Sequence, residues 1–175
     1  MKTLTAWCRS PIGRLKISGT AEGITEISFD RHDSPEAAGP PDELIPAVRQ
    51  LEEYFRGERR EFTIKLAPAG TGFQRRVWAE LEKIPFGGTV TYGGIAADLN
   101  TPGAARAVGR ANHLNPISIV VPCHRVIGAG SDLRGYGGGL WRKRWLLEHE
   151  QSVAQTGAPA AGPSRPRKEE GSNTR

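Results

Sequence analysis

The chain has 175 residues, 37% of them hydrophobic, enough for one ordinary domain or two small ones with a real core and no need of cross-links. Two cysteines far apart, Cys8 and Cys123, exclude a disulfide-built scaffold, and the lack of any long apolar run leads us to expect no signal peptide, no membrane helix and a cytoplasmic protein. Residues 1–100 carry 13 Lys/Arg against 14 Asp/Glu, residues 101–150 carry 7 against 3 and the remainder 4 against 2, so the net +5 lies in the last 75 residues, where it suits a polyanion such as nucleic acid or solubility alone.

The first third reads as strand, turn, strand, strand: Leu4 to Arg9, a turn at Ser10-Pro11-Ile12-Gly13, Arg14 to Ser18, then Gly23 to Phe29. A loop rich in Pro, Asp and Gly covers Asp30 to Asp42. The apolar stripe Leu44, Ile45, Val48, Leu51, Tyr54 and Phe55, stopped by Gly57, predicts a helix over Glu43 to Arg56. Alternation over Phe62 to Leu66 predicts a further short strand, which closes a small α+β unit at residues 1–66. Residues 67–72 then read as a linker. From Thr71 the period turns helical through Phe73, Val77, Trp78, Leu81 and Ile84, until Pro85-Phe86-Gly87-Gly88 ends it. Two small-residue helices, Tyr92 to Leu99 and Ala104 to Ala111, flank Asn100-Thr101-Pro102-Gly103 and read as a helix-turn-helix. The β-branched run Ile117 to Val121 predicts a buried strand stopped by Pro122. A glycine-rich stretch, Gly135 to Gly139, forms a flap or a wall of close backbone approach and leads into a last amphipathic helix, Leu140 to Glu150. Trp78, Trp141 and Trp145 fall on apolar stripes and read as core, and residues 152–175 read as a disordered tail. The fold class is thus α+β: a small N-terminal antiparallel sheet with a helix, then a mostly helical unit at residues 73–151.

The chemistry concentrates at Pro122-Cys123-His124-Arg125-Val126. A thiol with a reference pKa of about 8.5 needs help to become a nucleophile near neutrality, and His124 is the nearest acceptor for its proton. A carboxylate behind the imidazole would fix its tautomer, and Glu150 at the end of the last helix is one candidate. Cys-His adjacency alone weighs evenly between that reading and an inert buried thiol. Arg106 and Arg110, spaced i, i+4 on a Gly/Ala-rich helix, suit a nucleic-acid groove, although on this segment alone a packed hairpin with two solvated arginines is the better reading. Cys8 with His32 falls far short of a metal set, and Gly135 to Gly139 lacks the lysine and Ser/Thr of a phosphate loop. No metal and no cofactor are expected.

In this order, Thr91-Tyr92, Ala104 to Gly109, Asn115-Pro116, Val121 to Ile127, Gly135-Tyr136 and Leu146 to Glu150 resemble the methylated-DNA:protein-cysteine methyltransferases, the DNA repair alkyltransferases, over Phe73 to Glu150. Residues 1–66 agree in type with that family's variable ribonuclease-H-like N-terminal domain. The resemblance implies a monomer that binds double-stranded DNA containing alkylated guanine and moves the alkyl group from the O6 atom irreversibly onto Cys123. Activity on O4-alkylthymine is left open. It implies a nucleotide rotated out through the minor groove, at a cost of a few kcal/mol that a damaged, poorly paired base reduces. Arg106 would fill the vacancy in the stack and Tyr92 would crowd the adjacent phosphate, with Ala105, Gly109, Arg110 and Asn112 completing the DNA face. His124 would act as base through a water, oriented by Glu150, with Asn115 tying the helix to the Cys loop and Tyr136 donating to the departing guanine. Val126, Gly137 and Pro122 would line the pocket, where the backbone groups of Cys123 and Val126 would read the guanine edge. Many relatives carry a serine where this chain has Gly137, a difference expected to loosen the pocket for larger alkyl groups.

Overall fold

The computed structural model describes residues 2–30 and 39–159. Its first layer is an antiparallel meander of β1 (Leu4–Cys8), β2 (Leu15–Thr20) and β3 (Gly23–Phe29). Alternation turns Ala6 and Cys8, and Leu15 and Ile17, inward, while the extra residue of β3 at Thr25 puts Ile24 on the same buried face as Ile27. The β2 to β3 register shifts at Ser18/Gly19, where a Cβ on Gly19 would stand 2.9 Å from the Leu44 Cδ2 and force that side chain to move. Against this sheet packs α1 (Ile45–Phe55), entered through a short 3₁₀ turn at Asp42–Leu44. Leu51, Tyr54 and Phe55 form its buried side, while Ile45, expected on that stripe, is exposed.

The strand expected over Phe62 to Leu66 reduces to one parallel bridge between Ile24 and Leu66. Gln50 explains the loss. Its side-chain amide bonds both the Thr63 N–H and the Thr63 hydroxyl, at 2.9 Å each, so Thr63 is held by a helix side chain instead of a ladder. The other position on the β3 edge is taken by the second half of the chain: Ile27 bridges Ile117, with Ile27 N–H on the Pro116 carbonyl and Ser118 N–H on the Ile27 carbonyl, both 2.9 Å. The segment leading to Cys123 is therefore docked on the N-terminal sheet by backbone hydrogen bonds.

In the second unit, α2 (Gly72–Glu82) begins at a capping box in which Thr71 and Gln74 satisfy each other's backbone N–H groups. The helix-turn-helix forms as expected from α3 (Tyr92–Asp98) and α4 (Ala105–His113), and Asn100 (φ 55°) and Gly103 (φ 91°) supply the left-handed residues of the turn. Trp78 of α2 ties to α4 through its indole N–H on the Ala111 carbonyl, 2.9 Å. A two-strand parallel ribbon, β4 (Val90–Thr91) with β5 (Val126–Ile127), has no sequence signal of its own and joins the start of α3 to the exit of the Cys loop. The last helix, α5 (Leu140–Thr156), runs past the expected stop at Glu150 into the segment read as tail and ends on Gly157 in the left-handed conformation. Residues 160–175 and His32 lie outside the described residues.

Candidate active site

Ile117 to Val121 is not a strand. After the single bridge at Ile117 the backbone folds into turns: the Val120 N–H donates to the Ser118 carbonyl, 2.9 Å, around Ile119, whose φ is +74°. A second tight turn, Cys123 N–H to Val121 carbonyl at 2.8 Å, closes around Pro122 (φ −81°, ψ 62°). A left-handed β-branched residue costs on the order of 1–3 kcal/mol, and the full burial of Ile119 holds it there. Asn115 braces the same stretch: its amide donates to the carbonyls of Val121 (2.8 Å) and Ile117 (3.3 Å), and its oxygen accepts the Ile117 N–H (3.0 Å). These turns deliver Cys123 to the start of a 3₁₀ turn, Cys123–Arg125, so that Cys123 and His124 serve one site without strand alternation separating them.

Behind the thiol lies a fully buried polar centre. His124 Nε2 is 2.9 Å from Glu150 Oε1. Burial alone would raise the Glu150 carboxyl, but the hydrogen bonds of His124 and Arg125 and the Arg125 charge overcome it and hold the group well below the ordinary carboxylate range. An ionised Glu150 can only accept, so Nε2 carries the hydrogen and Nδ1 bears the basic lone pair. Nδ1 has no hydrogen-bond partner among the described residues. Burial pushes the His124 imidazole down, Glu150 opposes this, and Arg125 and Lys143 reinforce it. The resting imidazole is neutral.

Two buried histidines, His124 and His149, are both held below the usual imidazole value, principally by burial. The unfolded chain therefore takes up more protons than the folded one, and stability falls as pH drops from above the ordinary 6.5 toward the lowered folded values. Denaturant unfolding curves recorded across that window should show a falling unfolding free energy on the acid side. A flat profile would contradict the assignment of uncharged buried imidazoles.

On the other side, Cys123 is 5% exposed and opens onto a cavity of about 890 Å³. Burial raises its thiol, while the Asn115 amide, the Lys143 ammonium and the backbone N–H groups of Cys123 and His124 act in the opposite sense. Tyr136 and Gly137 form one wall, and the Tyr136 hydroxyl is buried with no partner among the described residues. The glycine-rich stretch is a wall of close approach: a Cβ at Gly138 would stand 2.6 Å from Phe29 and 2.8 Å from Tyr136. A Cβ at Gly137 would meet nothing within 4 Å. Phe29 brings the N-terminal unit into the cavity, edge-on to Tyr136 at 6.3 Å, and Arg142 lies 4.5 Å from both the Phe29 and Trp141 rings.

Tyr92 opens α3 beside this cavity, with its hydroxyl on the Arg134 carbonyl at 3.2 Å and Gly109 of α4 against its ring. Arg106 and Arg110 are exposed on α4, and Ala105 and Gly109 are half-buried. Two expected site residues sit elsewhere, and a third has its side chain fully buried. Asn112, expected on the DNA face, is 2% exposed and turned inward, its amide on the Cys123 carbonyl at 3.3 Å, because its place on α4 faces the Cys loop. Pro122, at the tight turn, lines a second cavity with Val120 and Arg125 and not the one onto which Cys123 opens. Val126 is fully buried in the β4–β5 ribbon, its carbonyl bonded by Lys143. Trp141, expected in the core, is a half-buried wall residue.

Three buried polar residues add to the expected set. Arg125 grips Glu150 with Nε on Oε2 and Nη2 on Oε1, both 2.9 Å, and donates Nη1 to the Ile84 carbonyl. Lys143 is fully buried, with Nζ on the carbonyls of Val126 (2.6 Å) and Arg134 (2.7 Å). Tyr54 donates its hydroxyl to Glu150 Oε1 at 2.9 Å. Lys143 and Glu150 share a face of α5 with Leu146 and Val153, and two charges on an apolar stripe were a readable sign of burial. Nothing at Tyr54 distinguishes it in sequence from a core tyrosine. Among the described residues no group of three or more His, Cys, Asp or Glu is placed to hold a metal ion, and burial pushes the Cys8 thiol up to about 12.

Comparison with known proteins follows the two structural units. The profile of the 6-O-methylguanine DNA methyltransferase DNA binding domain matches residues 72–152, and that of the same proteins' ribonuclease-like domain matches residues 3–68. The chain belongs to the 6-O-methylguanine DNA methyltransferase family. A methylated-DNA–protein-cysteine methyltransferase of Mycobacterium tuberculosis is 50% identical over 153 residues, 83% of this chain and 90% of that protein. One from Methanosarcina acetivorans is 48% identical over 148 residues, 82% of this chain and 95% of its own. The crystal structure of Mycobacterium tuberculosis OGT in complex with DNA superposes with a TM-score of 0.79 at 48% identity, covering 89% of this chain and 95% of the other. The family's α+β organisation, an N-terminal sheet unit followed by a helical unit, is the one described above. The segment matched to the DNA binding domain holds Cys123, His124 and Glu150, whereas Tyr54 and Phe29 come from the ribonuclease-like segment. No helix among the described residues is long and apolar enough to cross a membrane.

Proposed function

We propose that the protein repairs alkylated DNA by transferring the alkyl group from O6 of guanine to the sulfur of Cys123, once per molecule. The observation that carries this reading is the arrangement at one sulfur: a thiol on the floor of an open cavity, with a neutral, correctly tautomerised imidazole and its ionised carboxylate sealed behind it. The Cys123 proton passes through a bound water to His124 Nδ1, leaving imidazolium paired with Glu150. The thiolate attacks the alkyl carbon, the carbon–oxygen bond breaks, and its electron pair leaves with guanine. Tyr136, whose buried hydroxyl meets the geometric criteria of a hydrogen bond with no group among the described residues, donates to the departing base and disperses the charge that builds there. The product is a thioether that His124 and Glu150 cannot hydrolyse, so each molecule acts once.

An O6 atom inside the duplex is out of reach of a sulfur on a cavity floor, so the nucleotide has to leave the stack. The exposed Arg106 on a helix of small residues supports a role as the filler of the gap, with Tyr92 at the neighbouring phosphate. Arg106→Ala should leave folding stability within about 0.5 kcal/mol, as expected for an exposed side chain. It should slow transfer from duplex more than transfer from single strands, which have less stacking to break. Single-turnover rates on the two substrates check this, and equal losses would count against the finger role. A domain that binds damage without reacting would show no gain of mass at Cys123, and a cysteine hydrolase would show steady turnover instead of a burst that stops.

A further inference from the structure

We infer that Tyr54, from the ribonuclease-like segment, is a positioning residue for alkyl transfer: its hydroxyl shares Glu150 Oε1 with His124 Nε2 and so sets how strongly that carboxylate holds the imidazole. The inference rests on the alkyl-transfer reading above. Glu150 collects five donors. Oε2 accepts from Arg125 Nε and the Gly87 N–H, both at 2.9 Å. Oε1 accepts from His124 Nε2, Arg125 Nη2 and the Tyr54 hydroxyl, each at 2.9 Å. A carboxylate oxygen offers two lone pairs, so three donors compete at Oε1, and the one supplied from outside the DNA-binding segment is Tyr54. A second bond ties α1 to α5 at this residue: His149, beside Glu150 on α5, meets the Tyr54 backbone carbonyl through Nε2 at 2.9 Å, and the two rings stand 5.2 Å apart. An ordinary core tyrosine would satisfy its hydroxyl on a backbone carbonyl. This one lies on the atom that orients the base.

The groups facing His124 and Glu150 are Cys123 and Arg125 from the Cys loop, Lys143 and His149 from α5, Tyr136 from the glycine-rich wall and Tyr54 from α1. Of these only Tyr54 and Arg125 donate to Oε1 in competition with His124. Arg125 carries a full charge that buried Glu150 needs, so its removal would break the centre. Tyr54 is neutral, and burial together with the adjacent Glu150 charge holds its phenol protonated. Losing one neutral donor leaves the carboxylate richer in charge toward Nε2–H. Imidazolium is then better stabilised, and His124 protonates at higher pH.

Tyr54→Phe keeps the ring against Phe55, Phe62 and Phe86 and removes only the hydroxyl. In full-length ¹⁵N-labelled protein without DNA, the His124 ring nitrogens followed from alkaline to acid pH should show a higher protonation midpoint in Tyr54→Phe than in wild type. The acid limb of the single-turnover rate on duplex containing O6-methylguanine should move the same way, with the plateau rate changed by no more than roughly tenfold. Fluorinated tyrosine placed at position 54, a stronger donor of the same shape, should move the midpoint in the opposite direction and covers the case in which the phenylalanine variant does not fold. A role confined to packing would lower the plateau and leave both midpoints in place. An unmoved or oppositely moved His124 midpoint in protein whose wild type transfers methyl overturns this inference alone. Absence of transfer by the wild type overturns the alkyl-transfer reading itself, and the nitrogen titration then reports on Tyr54 independently.

Discussion

Cys123→Ser is expected to abolish alkyl transfer while leaving DNA binding largely unchanged. The fold spends backbone strain at Ile119, two tight turns and the Asn115 brace on presenting one sulfur to one cavity. Serine fits the same backbone and leaves the exposed arginines of α4 untouched. What it lacks is acidity: even with its pKa raised by burial a thiol is far more acidic than an alcohol and can pass its proton to a neutral imidazole, whereas an alcohol gives up a proton only as it attacks, and here no carbonyl is present to take the charge. Transfer measured on duplex containing O6-methylguanine should fall below detection, and binding measured on the same duplex should stay within a few-fold. Retained transfer would move the acceptor to another residue.

Glu150→Ala is expected to have the largest effect on stability of any single change in the site. Glu150 is fully buried and neutralises a buried Arg125 while satisfying donors from α1, the Gly87 turn and the Cys loop. Removing one member of a buried ion pair costs about 3–5 kcal/mol, a large part of the roughly 5–15 kcal/mol by which a typical domain is stable. Glu150→Gln separates folding from chemistry. It preserves volume, but its amide NH₂ must face a donor, and if it faces Nε2 the imidazole tautomer inverts and Nδ1 carries the hydrogen. Single-turnover transfer should then fall on the order of 10²- to 10⁴-fold in protein that remains folded by denaturant titration. A folded Glu150→Gln variant with wild-type transfer would remove Glu150 from the orienting role.

How much of this was readable depends on which interactions are local. The meander, α1, the helix-turn-helix and the placing of Cys123 and His124 followed from period, turn residues and motif. Local pattern misled where a distant group took the backbone: Phe62 to Leu66 alternates as a strand does, yet Gln50 holds Thr63 and leaves one bridge. Ile117 to Val121 has the composition of a strand, and no propensity predicts a left-handed isoleucine, because only the packing around it makes the conformation tolerable. Within the site, His124 and Glu150 were legible from the nucleophile's need for an oriented base. Arg125 stood in the motif, but that it grips Glu150 bidentately depends on α5 passing behind the loop. Tyr54 depends on packing between two units 96 residues apart along the chain. The resemblance put Asn112 on the DNA face and Pro122 in the pocket, whereas the facing of α4 turns Asn112 onto the Cys loop and Pro122 lines a different cavity.

The most direct test of the account is the mass of the peptide containing Cys123 after the protein is incubated with duplex DNA carrying O6-methylguanine. One methyl in place of one hydrogen, on Cys123, in an amount that never exceeds one per protein molecule, is the result predicted. An unmodified Cys123 peptide from folded protein that binds the same duplex, or a methyl found on Cys8 instead, would contradict it.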